Sequence, residues 1–275
     1  MPTPKLQRTW RLWLAYDGTR YCGWQFQPDQ PSVEAELQKA ILKLTGQNVL
    51  LTAAGRTDSS VHARGQVVSC IFESRFDSRT LILALASALP SDIAVWRADI
   101  VKQGFNAKRQ SIGKRYMYRI RQALASDPFD LTTCWHFRQN LNIEAMQQAA
   151  TYLIGEHDFE SFRSSQCQAE HARRYVWMVD VQSVKDGIAL DVRGNAFCHN
   201  MVRIIIGTLV DVGLGKIKSH QVAEILASKN RLLAGRTVPA RGLTLQEVYY
   251  ADTLQDAQIP QGVRFPRYPV TEEIF

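Results

Sequence analysis

The residues best placed to do chemistry form one short polar run, Gly55-Arg56-Thr57-Asp58, followed by Val61-His62-Ala63 and Gly65-Gln66. Apolar stretches flank it, Val49 to Ala53 before and Gln66 to Phe72 after. A glycine-flanked polar loop leaving a strand is a usual mount for reactive groups on a rigid scaffold. If Arg56 and Asp58 stay extended they point to one face, because strand side chains alternate with a period of two. A guanidinium that close keeps a carboxylate ionised, as a nucleophile must be. The plainer alternative is a surface loop in which Arg56 and Asp58 simply pair. His62 and His199 invite a general-base role, against the commoner case of a neutral histidine held by a structural hydrogen bond. His157-Asp158 reads as a loop organiser rather than a dyad.

The elements that must carry this loop can be read from periodicity and punctuation. Trp10 to Tyr16 reads as a strand ended by the turn pair Asp17-Gly18. Ser32 is an N-cap for a helix with Val33, Leu37, Ala40, Ile41 and Leu44 on one face, closed by Gly46. Strands are expected at Val49 to Ala53, Gln66 to Phe72 and Ile93 to Ala98, with a helix from Ser78 to Leu89 stopped by Pro90. The second half repeats this grammar. A strand from Arg115 to Gln122 precedes a helix from Ile143 to Tyr152 capped by Asn142. Arg173 to Lys185 and Gly187 to Gly194 read as a hairpin turning at Asp186-Gly187. Helices follow at Asn200 to Val212 and Ser219 to Ala227, then a closing strand from Leu243 to Tyr250. Two strand–helix–strand sets without a sequence repeat predict an α+β architecture of two similar halves. Gly213-x-Gly215-Lys216 lacks the spacing of a phosphate loop and reads as a helix C-cap.

Composition excludes several classes. Of 275 residues, 45% are hydrophobic and 21% charged, too apolar for a disordered chain. Sixteen Gly and ten Pro exclude collagen-like and low-complexity chains. The net charge of +7 fits either attraction to a polyanion, nucleic acid being the commonest for a soluble protein, or a basic protein with no such partner, and charge alone does not choose between them. Basic clusters stand at Arg8/Arg11, Lys108/Arg109, Lys114/Arg115, and Arg163 with His171/Arg173/Arg174. Cys22, Cys70, Cys134, Cys167 and Cys198 are widely spaced and odd in number, which indicates neither a disulfide framework nor a zinc site. Free thiols fit a reducing cytosol. The N-terminal residues show no apolar signal-peptide core, and Leu81 to Leu89 is too short to span a bilayer, so a cytoplasmic protein away from membranes is expected.

Gly55 to Val67 resembles the signature G-R-T-D-x-G-V-H-A-x-G-Q-V of the tRNA pseudouridine synthase A (TruA) family. Five further blocks resemble that family in the same order. They are Tyr16-Asp17-Gly18-Thr19 with Gly23-Trp24-Gln25; Phe105-Asn106-Ala107-Lys108 with Lys114-Arg115-Tyr116-Met117-Tyr118; Gly155-Glu156-His157-Asp158-Phe159; Phe197 to Arg203 with Gly207; and Gly242-Leu243-Thr244-Leu245. The resemblance implies a pseudouridine-synthase fold, with two similar α/β halves whose mainly antiparallel sheets lie side by side, helices outside and an active-site cleft between. Residues 1–107 would form the half carrying the GRTD loop, 108–252 the half carrying Tyr116, the Met-Val-Arg helix and the Gly-Leu-Thr-Leu strand, and 253–275 an extension.

The resemblance further implies conversion of uridine to pseudouridine at positions 38, 39 and 40 of the tRNA anticodon arm, with no cofactor and no metal, by a homodimer. Asp58 would be the nucleophile, attacking either C6 of the base or C1′ of the ribose. Arg203 would pair with Asp58, since an arginine inside an apolar helix needs a buried anion. Arg56 would extrude the base or contact a phosphate. Tyr116 would lie under the uracil, as aromatic rings do under flipped bases, and Leu245 would wall its pocket. Lys108 and Arg115 would contact substrate, and Trp135, Phe137 and Trp177 are available for an interface. Two departures stand out. Ser60 replaces a glycine and would be mildly strained if that glycine serves a positive φ. Lys108 replaces an arginine, keeping the charge but not the bidentate fork. The alternatives are a non-catalytic tRNA-binding protein on the same fold, or a uracil-releasing glycosidase, whose usual second carboxylate is absent from the motif.

Overall fold

A computed structural model describes residues 6–252, so the expected 253–275 extension lies outside the described residues. The N-terminal half contributes β1 (Leu6–Tyr16), α1 (Val33–Thr45), β2 (Thr52–Ala53), β3 (His62–Ser74), α2 (Ser78–Ala88) and β4 (Ile93–Val101). The rest contributes β5 (Ser111–Gln122), β6 (Trp135–Phe137), α3 (Ile143–Thr151), β7 (Gly155–Asp158), β8 (Arg173–Val184), β9 (Gly187–Gly194), α4 (Met201–Gly213), α5 (Gln221–Ser228) and β10 (Leu243–Tyr250).

The caps work as their residue types predict. The Ser32 side chain accepts from Ala35 N–H and that of Asn142 from Ala145 N–H, satisfying first-turn donors left without helical partners. Gly46 ends α1 at φ 75°, and Gly215, at φ 72°, donates back to Val212 O after α4.

The strands form one ten-stranded sheet in the order β4-β1-β3-β10-β5-β9-β8-β7, with β2 on β3 and β6 on β5. Pairing is antiparallel except between β10 and β3 and between β5 and β6. The two halves are thus fused edge to edge. The seam is a short parallel contact, Thr244 opposite His62 and Leu245 opposite Ala63. Across β10, Leu245 also faces Tyr116 of β5. The seam therefore joins the end of the Gly55–Val61 loop to the Tyr116 strand.

Some boundaries differ from the periodicity. Only Thr52 and Ala53 of the Val49–Ala53 stretch pair with β3, because 49–51 have no strand beside them and Leu50 faces solvent. β3 begins four residues earlier than expected, at His62, because β1 and β10 both pair with that end. The short strands β6 and β7 carry too few residues for an alternation to show. α4 buries eleven of its 13 residues, which explains an apolar pattern on every side. A Cβ on Gly207 would stand 1.8 Å from Arg236 O, so α4 reaches its neighbouring segment only with glycine there.

Candidate active site

The Gly55–Val61 loop is held from below by the N-terminal motif. A Cβ on Gly18 would lie 2.1 Å from Val61 O, and one on Gly23 2.5 Å from Thr57 O, so both glycines permit a backbone-to-backbone approach. Trp24 N–H donates to Thr57 O, and Ser60 N–H donates to Tyr21 O. Below the loop, Tyr16 Oη and Thr57 Oγ1 are 2.8 Å apart, and Gln66 Nε2 donates to Gly55 O at 2.7 Å. Burial pushes the Tyr16 phenol up to about 12. Ser60 sits at φ 62°, the left-handed region that the family's glycine would favour.

On this brace Asp58 is 25% exposed and meets two groups from the start of α4. Arg203 Nη1 lies 3.4 Å from Oδ2, and His199 Nε2 lies 3.5 Å from Oδ1. Arg203 is held in turn, Nε donating to Val238 O and Nη1 to Asn200 Oδ1, each at 2.8 Å. Asn200 takes a left-handed turn at φ 61° just before the helix, which a short polar side chain tolerates. Arg56 is exposed, so the expected alternative of an Arg56–Asp58 pair gives way to the long-range partner.

Tyr116 is buried, with the Phe197 ring edge-on at 5.4 Å and Leu245 beside it across the strand pair. Burial, reinforced by the nearby Tyr16 and Asp58, raises its phenol far above the ordinary range, so it stays protonated at neutral pH. Leu245 is fully buried. The Gly242 Cβ position lies 2.6 Å from the Tyr118 ring, which explains the glycine before β10.

Structure separates the histidines. His62 Nε2 faces two carbonyls, Thr132 O at 2.8 Å and Arg241 O at 3.1 Å, and so carries the hydrogen. Its Nδ1 accepts from Gly18 N–H at 3.1 Å and lies 3.2 Å from Asp17 Oδ1, which makes His62 a buried brace. His199 is the histidine at the carboxylate. Asp158 pairs with Lys229, and His157 bonds Ile154 O, as a loop organiser would.

Other expected residues lie elsewhere. Arg115 stands on the sheet face opposite Tyr116, paired with Asp191 at 2.8 Å. Lys108 is exposed near Lys114. Arg11 is a correction to the basic clusters, since it is buried between Asp99 and Asp252 and against the Trp13 and Phe105 rings. Trp135, Phe137 and Trp177 are likewise buried within the chain, so they offer no interface surface. Sequence reasoning gave no role to Asn200 or Phe197, and placed Lys114 only in a basic cluster with Arg115. Only the Asn200 and Phe197 positions inside the Phe197–Arg203 block, and the Lys114–Tyr116 spacing of two, pointed toward them.

A family model described as tRNA pseudouridine synthase matches residues 13–108 and 149–251, more than half of the chain. The chain belongs to the tRNA pseudouridine synthase family. Asp58, Arg56, Lys108, Arg203 and Leu245 fall inside the matched segments of this family, while Tyr116 and Arg115 fall between them. The chain is 43% identical to tRNA pseudouridine synthase A of Myxococcus xanthus, over 88% of this chain and 92% of that protein. It is 44% identical to the enzyme of that name from Thermoanaerobacter pseudethanolicus, over 86% and 97%, and 42% identical to that from Blochmanniella pennsylvanica, over 91% and 95%.

Proposed function

We propose that this protein is an isomerase that converts uridine to pseudouridine in tRNA, at positions 38, 39 and 40 of the anticodon arm, with Asp58 as nucleophile. The observation that carries the reading is the partly exposed Asp58 carboxylate held by Arg203 at the seam, beside Tyr116 and Leu245. The N1–C1′ bond of the nucleotide breaks, and a C5–C1′ bond forms. The C5 hydrogen leaves as a proton and N1 gains one, so atoms and electrons balance without an external reactant. Asp58 serves either at C1′, as a leaving carboxylate ester, or at C6, as an adduct to the ring. Arg203 aims the carboxylate and compensates its charge. Tyr116 and Leu245 give the turning uracil an aromatic floor and an apolar wall. Arg56, exposed two residues from Asp58, is available to fill the stack that the base leaves or to hold a phosphate.

The RNA is the partner that the +7 charge serves. The homodimer that the resemblance implies belongs to the same proposal, with Phe129 and Leu124, 93% and 87% exposed, among the apolar residues available to a second copy. A cytoplasmic site of action fits a tRNA substrate and five free cysteines. Among the described residues no helix is long and apolar enough to cross a membrane.

Unmodified tRNA labelled with tritium at uridine C5 tests the reaction. Tritium release without free uracil is the expected result. Free uracil would make the protein a glycosidase, and binding without either product would make it a tRNA-binding module.

A further inference from the structure

Among the described residues, Lys114 and Arg174 are buried cations with no ion-pair partner. Lys114 is 9% exposed and Arg174 8%. They stand on one buried face of the sheet with Tyr116. Lys114 and Tyr116 are two apart on β5, Gly194 of β9 faces Lys114, and Val176 of β8, two residues from Arg174, faces Gly194 in turn. The charges that bear on Lys114 are those of Lys108 and Arg174, both of its own sign. The Arg174 Nε is buried without an acceptor, and among the described residues its Nη1 meets Arg173 O, His171 O and His171 Nδ1 but no carboxylate. Burying unpaired charge disfavours folding, so these side chains wait for an anion that the described residues do not supply.

The Lys114 stem lies across Gly55, where a Cβ would meet its Cε at 2.9 Å. Its ammonium therefore stands beside the loop that carries Asp58, three residues further on. We infer that Lys114 and Arg174, with Lys108 at the rim, form a buried oxyanion site that takes one phosphodiester group flanking the target uridine. The inference rests on the proposed uridine isomerisation. A nucleotide whose ribose faces Asp58 carries a phosphate on each side, and a single anion near Gly55 would fix the register of the sugar over the carboxylate. A phosphate offers acceptor oxygens to both cations at once, which a solvated chloride does not.

The test is a cycle between protein and RNA. Two anticodon-arm RNAs each carry one neutral methylphosphonate, 5′ or 3′ of the target uridine. With wild-type protein, one of the two should bind about 10-fold more weakly than unmodified RNA. With Lys114→Met the unmodified RNA should lose a similar factor, and its salt dependence should flatten by about one unit of slope. The same methylphosphonate should then weaken binding by less than about 2-fold, since the contact is already gone. Lys114→Arg, which keeps the charge, should keep the penalty. A full penalty in Lys114→Met overturns the site. So does thermal protection of wild-type protein, but not Lys114→Met, by inorganic phosphate with no methylphosphonate effect, which would assign the pocket to a free anion. Tritium release from the unmodified RNA is followed in parallel; its absence defeats the isomerase reading instead, whatever the cycle shows.

Discussion

Arg203 and Asp58 stand 145 positions apart in the chain and meet at 3.4 Å, Nη1 to Oδ2. The pair ties α4 of one half to the loop of the other across the β3–β10 seam. Its separation is longer than a tight ion pair, and the two 2.8 Å bonds from Arg203 to Val238 O and Asn200 Oδ1 do the positioning. The guanidinium is thus fixed first, and the carboxylate is aimed by it.

Replacing Arg203 should therefore harm turnover more than binding. Arg203→Gln is expected to lower kcat on the order of 100-fold or more, the usual effect of losing one preorganised charged donor. The Kd for tRNA should change by less than about 3-fold, because Arg203 is mostly buried. Single-turnover kinetics with a filter-binding assay separate the two. Unchanged kcat with weakened binding would make Arg203 an RNA contact.

Ser60 holds a left-handed turn at φ 62° that costs an L side chain about 1 kcal/mol or more. Ser60→Gly should raise Tm by about 1–3 °C and leave turnover near wild type, since the Ser60 N–H to Tyr21 O bond needs no side chain. Ser60→Val should lower Tm. Calorimetry on the two variants checks the sign, and a lower Tm for the glycine variant would refute the strain.

Lys114 gives a pH signature. Burial, with Lys108 and Arg174 adding repulsion, pulls its ammonium from the ordinary 10.5 down to about 8. The folded pKa lies below the unfolded one, so between about 8 and 10.5 the unfolded chain binds more protons and stability rises with pH. Below 8 the full penalty is present, roughly 3 kcal/mol by the size of the shift. Lys114→Met should be more stable than wild type in denaturant titrations near neutral pH and should lose that rise. A variant less stable than wild type near neutral pH would show that Lys114 has an anionic partner within the folded chain.

What could be read beforehand followed from local chemistry. The Ser32 and Asn142 caps, Gly46 and the Leu243–Tyr250 strand are written in residue types a few positions apart, and they hold. The Arg203–Asp58 pair was also legible, because the family resemblance of the Met-Val-Arg block implied it and an arginine inside an apolar helix needs an anion. Partners fixed by distant strands were not legible. The His62 tautomer depends on carbonyls of Thr132 and Arg241, and the burial of Lys114 on a glycine opposite it in β9. Arg11 looked like part of a basic surface because Arg8 stands three residues before it. Its strand runs through the middle of the β4-β1-β3 sheet, which turns it inward to Asp99 and Asp252.

The central claim, that the carboxylate of Asp58 attacks the nucleotide, is tested most directly by Asp58→Ala with tRNA tritiated at uridine C5. Tritium release should fall below detection, while tRNA binding stays within about 3-fold of wild type because a single exchanged side chain leaves the phosphate contacts in place. Release by the alanine variant at a rate near wild type would contradict it.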